Sequence, residues 1–334
     1  MGLYPRQRPR ENADSLADRA DGERRAERRD YVHDDRTSPI RSSWVGGRGG
    51  LTGRRVEGGA VEPTTPVTEI LRLAVVDGGN LRIVSVMSDG TAQATPGSPY
   101  ALPRTTGIQR VEGMGYSSSG GPHLWIADPG TRVIRRRNLV MGTWDVEVTG
   151  APSTMRGKTV QHFSFGSPGG IQWVVTQEGA NGRAWQLVFT GSPATQSWGN
   201  PLTWKWLAQG NSEPRGITHW PRANRYDIVD DDRNVYVYTH AELTSNQGGN
   251  ARARASAWAL DSDNRDPSGI AYTSRTVDGS AVERMYVVDT SDNKLYAYDP
   301  TRSPVAHVEA DDIDFADVGI TGNPRAITAY PPPA

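Results

Sequence analysis

A hairpin phrase repeated along the chain constrains its fold more than any other feature. Tyr286-Val-Val-Asp289-Thr runs straight into Ser-Asp-Asn-Lys-Leu-Tyr-Ala-Tyr298. Earlier versions read Tyr226-Asp-Ile-Val-Asp230 with Asn234-Val-Tyr-Val-Tyr238, Leu124-Trp-Ile-Ala-Asp128 with Thr131-Arg-Val-Ile134, and Leu73-Ala-Val-Val-Asp77 with Asn80-Leu-Arg-Ile-Val84. Gln172-Trp-Val-Val-Thr176 with Arg183-Ala-Trp-Gln-Leu-Val188 is a diverged copy. Each sets a β-branched or aromatic run against a second run across a turn of Asp, Asn and Gly, which is how a hairpin is written. Repetition on this scale predicts an array of similar sheets.

A second phrase, Pro-x-Gly-Ile-x-aromatic, precedes the clearest hairpins: Pro214-Arg-Gly216-Ile217-Thr-His-Trp220 and Pro267-Ser-Gly269-Ile270-Ala-Tyr272. Arg104-Thr-Thr-Gly107-Ile108 reads as a weaker version before the second hairpin. Pro324-Arg-Ala326-Ile327-Thr-Ala-Tyr330 has no hairpin after it, while the hairpin at 71–87 has no such phrase before it. The two halves complete each other, so the C-terminal strand is expected to pair with the first blade and close a ring without an open sheet edge. The signature positions 77, 128, 176, 230 and 289 are separated by 51, 48, 54 and 59 residues, each enough for a four-stranded blade. The expected fold is all-β, a five-bladed β-propeller over 67–334, with a sixth blade within 138–165 as the competing count. Residues 1–66 are read as a long extended or disordered Arg-rich arm.

The phrases resemble the NHL and YVTN-type propeller repeats, over about 71–334. The resemblance implies a propeller and leaves function open, because such propellers serve as enzymes, adhesins and scaffolds alike.

Composition removes several alternatives. Ten Trp and twelve Tyr supply bulky residues to pack between blades. No run approaches the roughly 20 apolar residues of a membrane-spanning helix, and the first thirty residues contain no signal-peptide core, so neither membrane insertion nor classical secretion is expected. The absence of Cys excludes disulfides and thiolate chemistry. With a net charge of −1 the chain as a whole lacks the balance of a polyanion binder.

The arm reads differently. Residues 1–58 hold 13 Arg and ten acidic residues with few large apolar side chains, too little to build a core. Tyr4, Leu16, Tyr31, Ile40 and Trp44 are spaced as anchors for an extended segment that becomes ordered on a partner protein. Gly46-Gly-Arg48-Gly-Gly resembles an RGG-type nucleic-acid segment, but the interleaved carboxylates cancel most phosphate attraction, so a nucleic-acid partner is not expected. An unstructured solubilising tail is the third reading.

Catalytic signatures are missing from the sequence. There is no Gly-x-Ser-x-Gly elbow, no nucleotide-binding glycine loop and no His-x-x-x-His pair. His162 and His219 neighbour aromatic residues in expected inner strands; ordinary strand histidines are the simpler reading. Asp77, Asp128, Asp230 and Asp289 end equivalent strands. A ring of carboxylates would suit Ca²⁺ or a sugar, but Asp is also the natural acceptor of backbone N–H groups at a tight turn, and that reading is preferred. Asp261-Ser-Asp263-Asn264-Arg-Asp266 begins like a calcium loop and then departs from it at Arg265. The acidic connector from Glu309 to Asp317 reads as a solvated loop, and Arg132, Arg135, Arg136 and Arg137 as a solvated edge strand. No catalytic residue, cofactor or metal site is therefore assigned; Ca²⁺ is the one ion the acidic turns would suit.

The sequence reading is a non-enzymatic interaction protein, a propeller tethered by its arm to a larger assembly. The layout resembles phage virion proteins that mount decorations, spikes or tail fibres, which implies a virion location after assembly in the cytoplasm. The alternatives are a propeller enzyme of lactonase, glycosidase or lyase type, and an NHL-like cytoplasmic regulator of RNA or protein.

Overall fold

The computed structural model describes residues 66–77, 79–102, 113–117, 123–128, 133–148, 160–165, 171–178, 181–188, 203–245, 251–277, 279–322 and 324–330. The arm, with Tyr4, Leu16, Tyr31, Ile40 and Trp44, lies outside them. Glu69–Asp77 (β1) and Asn80–Met87 (β2) form the first hairpin, with Ala92–Ala94 (β3) and Tyr100–Ala101 (β4) on its outer side. The second sheet contains Gly113–Ser117 (β5), His123–Asp128 (β6), Val133–Asn138 (β7) and Trp144–Val148 (β8). The third contains Val160–Phe165 (β9), Ile171–Glu178 (β10), Asn181–Val188 (β11) and Thr203–Trp206 (β12). Pro214–Trp220 (β13), Arg225–Asp230 (β14), Asn234–Thr239 (β15) and Ser256–Ala259 (β16) build the fourth. Pro267–Val277 (β17), Ser280–Asp289 (β18) and Lys294–Asp299 (β19) build the fifth, edged by Ala306–His307 (β20) and Ile313–Asp314 (β21). The last strand, Pro324–Tyr330 (β22), returns to pair antiparallel with β1.

The first strands of the sheets are neighbours in a closed cycle: β22 lies beside β17, β17 beside β13, β13 beside β9, β9 beside β5, and β5 beside β22. This is a β-propeller arrangement in which the first and last described strands share one sheet. The stretch 138–165 supplies the outer strand β8 and the inner strand β9, so among the described residues it forms no extra sheet.

The repeated apolar phrase follows from burial on both faces of each sheet. Val75 packs toward the fifth sheet and its neighbour Val76 toward the second; Ile228 faces the third sheet and Val229 the fifth; Val287 faces the fourth and Val288 the first. Period-2 alternation thus puts one large side chain into each inter-sheet layer, and no polar face is left over.

The glycine of the Pro-x-Gly-Ile phrase serves the hub. A Cβ on Gly216 would sit 2.9 Å from the Ile270 nitrogen and 3.0 Å from the Gly269 Cα, and one on Gly269 would sit 3.2 Å from the Arg325 oxygen. At Gly216 the next inner strand approaches too closely for a Cβ without a shift, and at Gly269 the contact is tight. The phrase begins with Pro214, Pro267 and Pro324, paired with Asp230, Asp289 and Asp77, and a bulge follows in each case. In the second sheet Gly113 pairs with Ala127, one residue before Asp128, as Gly216 pairs with Val229 and Gly269 with Val288. The inner strand of that sheet is therefore Gly113-Met-Gly-Tyr116 rather than 104–108. Its glycine and aromatic are kept, but the usual Ile is Met114. In the third sheet His162 pairs with Val175 and so occupies the glycine register.

Candidate functional site

The repeated aspartates gather at one end of the ring, where each β-hairpin turns and each inner strand begins. Asp289 Oδ2 accepts the backbone N–H of Arg265 and, at 3.1 Å, that of Asp266, while Oδ1 accepts the Ser291 N–H and hydroxyl, both at 2.6 Å. Asp230 accepts the Glu213 N–H at 2.8 Å and the Asp232 N–H at 3.2 Å. Each carboxylate thus ties the end of a second strand to the lead-in of the first strand of the same sheet. In the sheet that joins β22 to β1, Asp77 receives Arg82 Nε at 2.8 Å, and Gly322 packs directly against Oδ1. Asp128 ends β6 in the equivalent register; its side chain lies outside the described residues. Burial, the largest influence, raises the Asp230 carboxyl to about 6 in spite of its N–H donors.

A second repeated device was missed in the sequence. The Tyr238 hydroxyl accepts the Ala208 N–H at 3.1 Å and Asn211 Nδ2 at 3.0 Å; the Tyr298 hydroxyl accepts the Asp261 N–H at 3.1 Å and Asn264 Nδ2 at 3.3 Å. Both Asn side chains are fully buried. The signal was present as Asn-x-x-Pro at 211–214 and 264–267, each followed by a Tyr-x-Tyr strand. Asn264 therefore belongs to a buried clasp. Asp261 Oδ1 accepts the Asp263 N–H at 3.0 Å, an ordinary Asx turn. Among the described residues no three His, Asp or Glu side chains are grouped to hold a metal ion.

Two expectations about charged segments are corrected. β7 is paired on both sides, by β6 and β8, and Arg135 and Arg136 are buried in it. Arg136 lies 5.6 Å from the Trp125 ring centre, and Arg137 lies 4.8 Å from Tyr100 and 5.7 Å from Trp144. Aromatic faces accept the Arg136 and Arg137 guanidinium groups that the sequence suggested were solvated. Arg132 lies outside the described residues. The acidic connector is also packed: Asp311 pairs with Arg275 and Arg284, Asp312 with Lys294 at 2.9 Å and His307 at 3.0 Å, and Phe315, Val318 and Ile320 join the core.

Other titratable groups lie along the strands and on the outer edge of the sheets. Asp227 is fully buried between the fourth and fifth sheets and receives Arg225 Nη2 at 3.2 Å; Arg225 in turn stacks 4.1 Å from the Trp220 ring centre. Burial lifts the Asp227 carboxyl to about 7, against the pull of Arg225. On the far side of β13, His219 stacks on Tyr226 at 4.8 Å, and burial together with His240 lowers its imidazole to about 4. His307 lies between Asp261 and Asp312 on the rim. The side chain of His162 lies outside the described residues.

The ring, its committed aspartates and its packed rim define the chain as an all-β propeller protein. No family model matches it, and no curated protein matches it. Solved structures similar to it include a chain of the nidogen/laminin complex, at 13% identity and a TM-score of 0.45, covering 78% of this chain and 98% of that one. Apo AztD from Citrobacter koseri follows at 13% and 0.32, covering 78% and 62%. Myxococcus xanthus glutaminyl cyclase stands at 10% and 0.35, covering 65% and 69%. Likeness at this level carries neither activity nor ligand across.

Proposed function

We propose that this chain is a non-enzymatic interaction protein in which all five sheets act as blades of one rigid ring, held by residues 1–66 to a larger assembly, a virion in our reading. The observation that supports it is the way the ring closes: β22 completes the sheet of β1, so the cycle of sheets needs no strand from residues 1–66. The Arg-rich arm is then available for a partner protein, with Tyr4, Leu16, Tyr31, Ile40 and Trp44 as anchors that gain affinity by ordering along it. The ring presents its loops to something else, a division of labour that suits a capsid decoration, spike or fibre.

Density-gradient fractionation of the native source, followed by mass spectrometry, tests the proposal. Co-migration with particles at a fixed ratio to a capsid or tail protein, lost when residues 1–66 are removed, is the expected result. Recovery only in the soluble fraction would sink it.

A further inference from the structure

The hairpin between β7 and β8 carries two adjacent large apolar side chains in solvent: Val140 is 77% exposed and Met141 71%. Val67, before β1, is the other exposed large hydrophobic among the described residues. The tip is held rather than loose. Asn138 Oδ1 accepts both tip amides, Val140 N–H at 2.9 Å and Met141 N–H at 3.0 Å, and the Asn138 carbonyl accepts the Gly142 N–H at 2.9 Å. Gly142, at φ 68°, closes the turn in the left-handed region that a glycine adopts without strain. Leu139 packs inward on the core between the first and second sheets, leaving its two neighbours outward.

What lies behind the tip indicates the partner. Arg137 Nη2 is 3.7 Å from where a Cβ on Gly142 would sit, and its guanidinium is held against Tyr100 and Trp144, all three half-buried. An apolar point backed by a cation and two amphipathic aromatics follows the polarity profile of a bilayer surface: acyl boundary first, then phosphate and headgroup. A convex tip of two side chains supplies far less than the roughly 800 Å² per partner of a stable protein interface, whereas a bilayer requires no matching contour. We propose that the Val140–Met141 tip is a peripheral docking point for an anionic phospholipid surface, with Arg137 set to meet a headgroup phosphate.

The absence of Cys makes a direct test available. Met141→Cys carries a single environment-sensitive fluorophore at the tip, and Asp263→Cys, on an exposed turn at the opposite end of the ring, carries the control. Full-length protein is mixed with phosphatidylcholine vesicles with and without phosphatidylglycerol. The expected result is a blue shift and brightening at position 141 with anionic vesicles, none at 263, and loss of the tip's contribution to flotation in V140D/M141D at unchanged melting temperature. The Arg-rich arm can itself attract anionic vesicles, so the label rather than flotation decides. An unchanged label at 141 in the presence of vesicles overturns the proposal, as does a label that responds to a protein fraction and not to lipid. If the double variant melts early, the singly labelled protein still gives the answer.

Discussion

Asp227→Asn should change the pH dependence of stability in a way that its packing alone would not. The carboxyl is fully buried and held at about 7 against an ordinary 3.8, so between those values the folded chain keeps a proton that the unfolded chain has released. Stability must then fall as pH rises from about 4 to about 7, the reverse of a salt-bridged carboxylate. Each pH unit inside that window is worth about 1.4 kcal/mol, so from pH 5 to pH 8 this group removes about 2–3 kcal/mol. Asn fills the same space without an ionisable proton. It also releases Arg225, whose stacking on Trp220 remains. Urea unfolding of wild type and variant, followed by Trp fluorescence at pH 5, 6, 7 and 8, isolates the contribution as a difference, because Asp230 and other groups titrate equally in both. The variant should gain on the wild type by about 2–3 kcal/mol across the series. A difference that stays constant with pH would refute the assignment and mean that Asp227 is ionised in the fold.

His219 gives the opposite slope: its imidazole is lowered to about 4, so stability is lost as pH falls below about 6.5, and His219→Gln should flatten that acid limb in the same urea series. Gly216→Ala forces a Cβ against backbone atoms of the next inner strand and should cost about 1–3 kcal/mol, more than Gly269→Ala, with thermal melting as the measure. Tyr238→Phe leaves the buried Asn211 amide and the Ala208 N–H without their acceptor, a loss of about 1–3 kcal/mol by urea unfolding.

Turn chemistry is local, and local signals were legible. An Asp at the end of a strand was legible as the acceptor for its own turn, where it takes the Asp232 or Ser291 N–H; its second bond, to the lead-in residues Glu213 or Asp266 of the same sheet, was not, because those residues lie far back along the chain. Ring closure was legible as well: two orphaned half-phrases at the chain ends have one way to become whole, and β22 pairs with β1 in the register of the other inner strands. The inner strand of the second sheet was misplaced because Met114 stands where the phrase has Ile, so a weaker Gly-Ile at 107–108 drew the reading away. The inter-sheet layers were the least legible, because the partner of a side chain there comes from a neighbouring sheet. Thr218 accepts the Tyr272 N–H at 2.8 Å across 54 residues of sequence, and Arg137 stacks on Tyr100 from the sheet before it. A run of arginines read along the chain counts charge. In the fold, Arg136 meets Trp125 of its own sheet, and Arg137 meets Trp144 of its own sheet and Tyr100 of the sheet before it, so residues that suggest a solvated run are held against aromatic rings. The tip they support stands out for this reason: where β7 turns into β8, Val140 and Met141 stand in solvent while Leu139 beside them packs on the core.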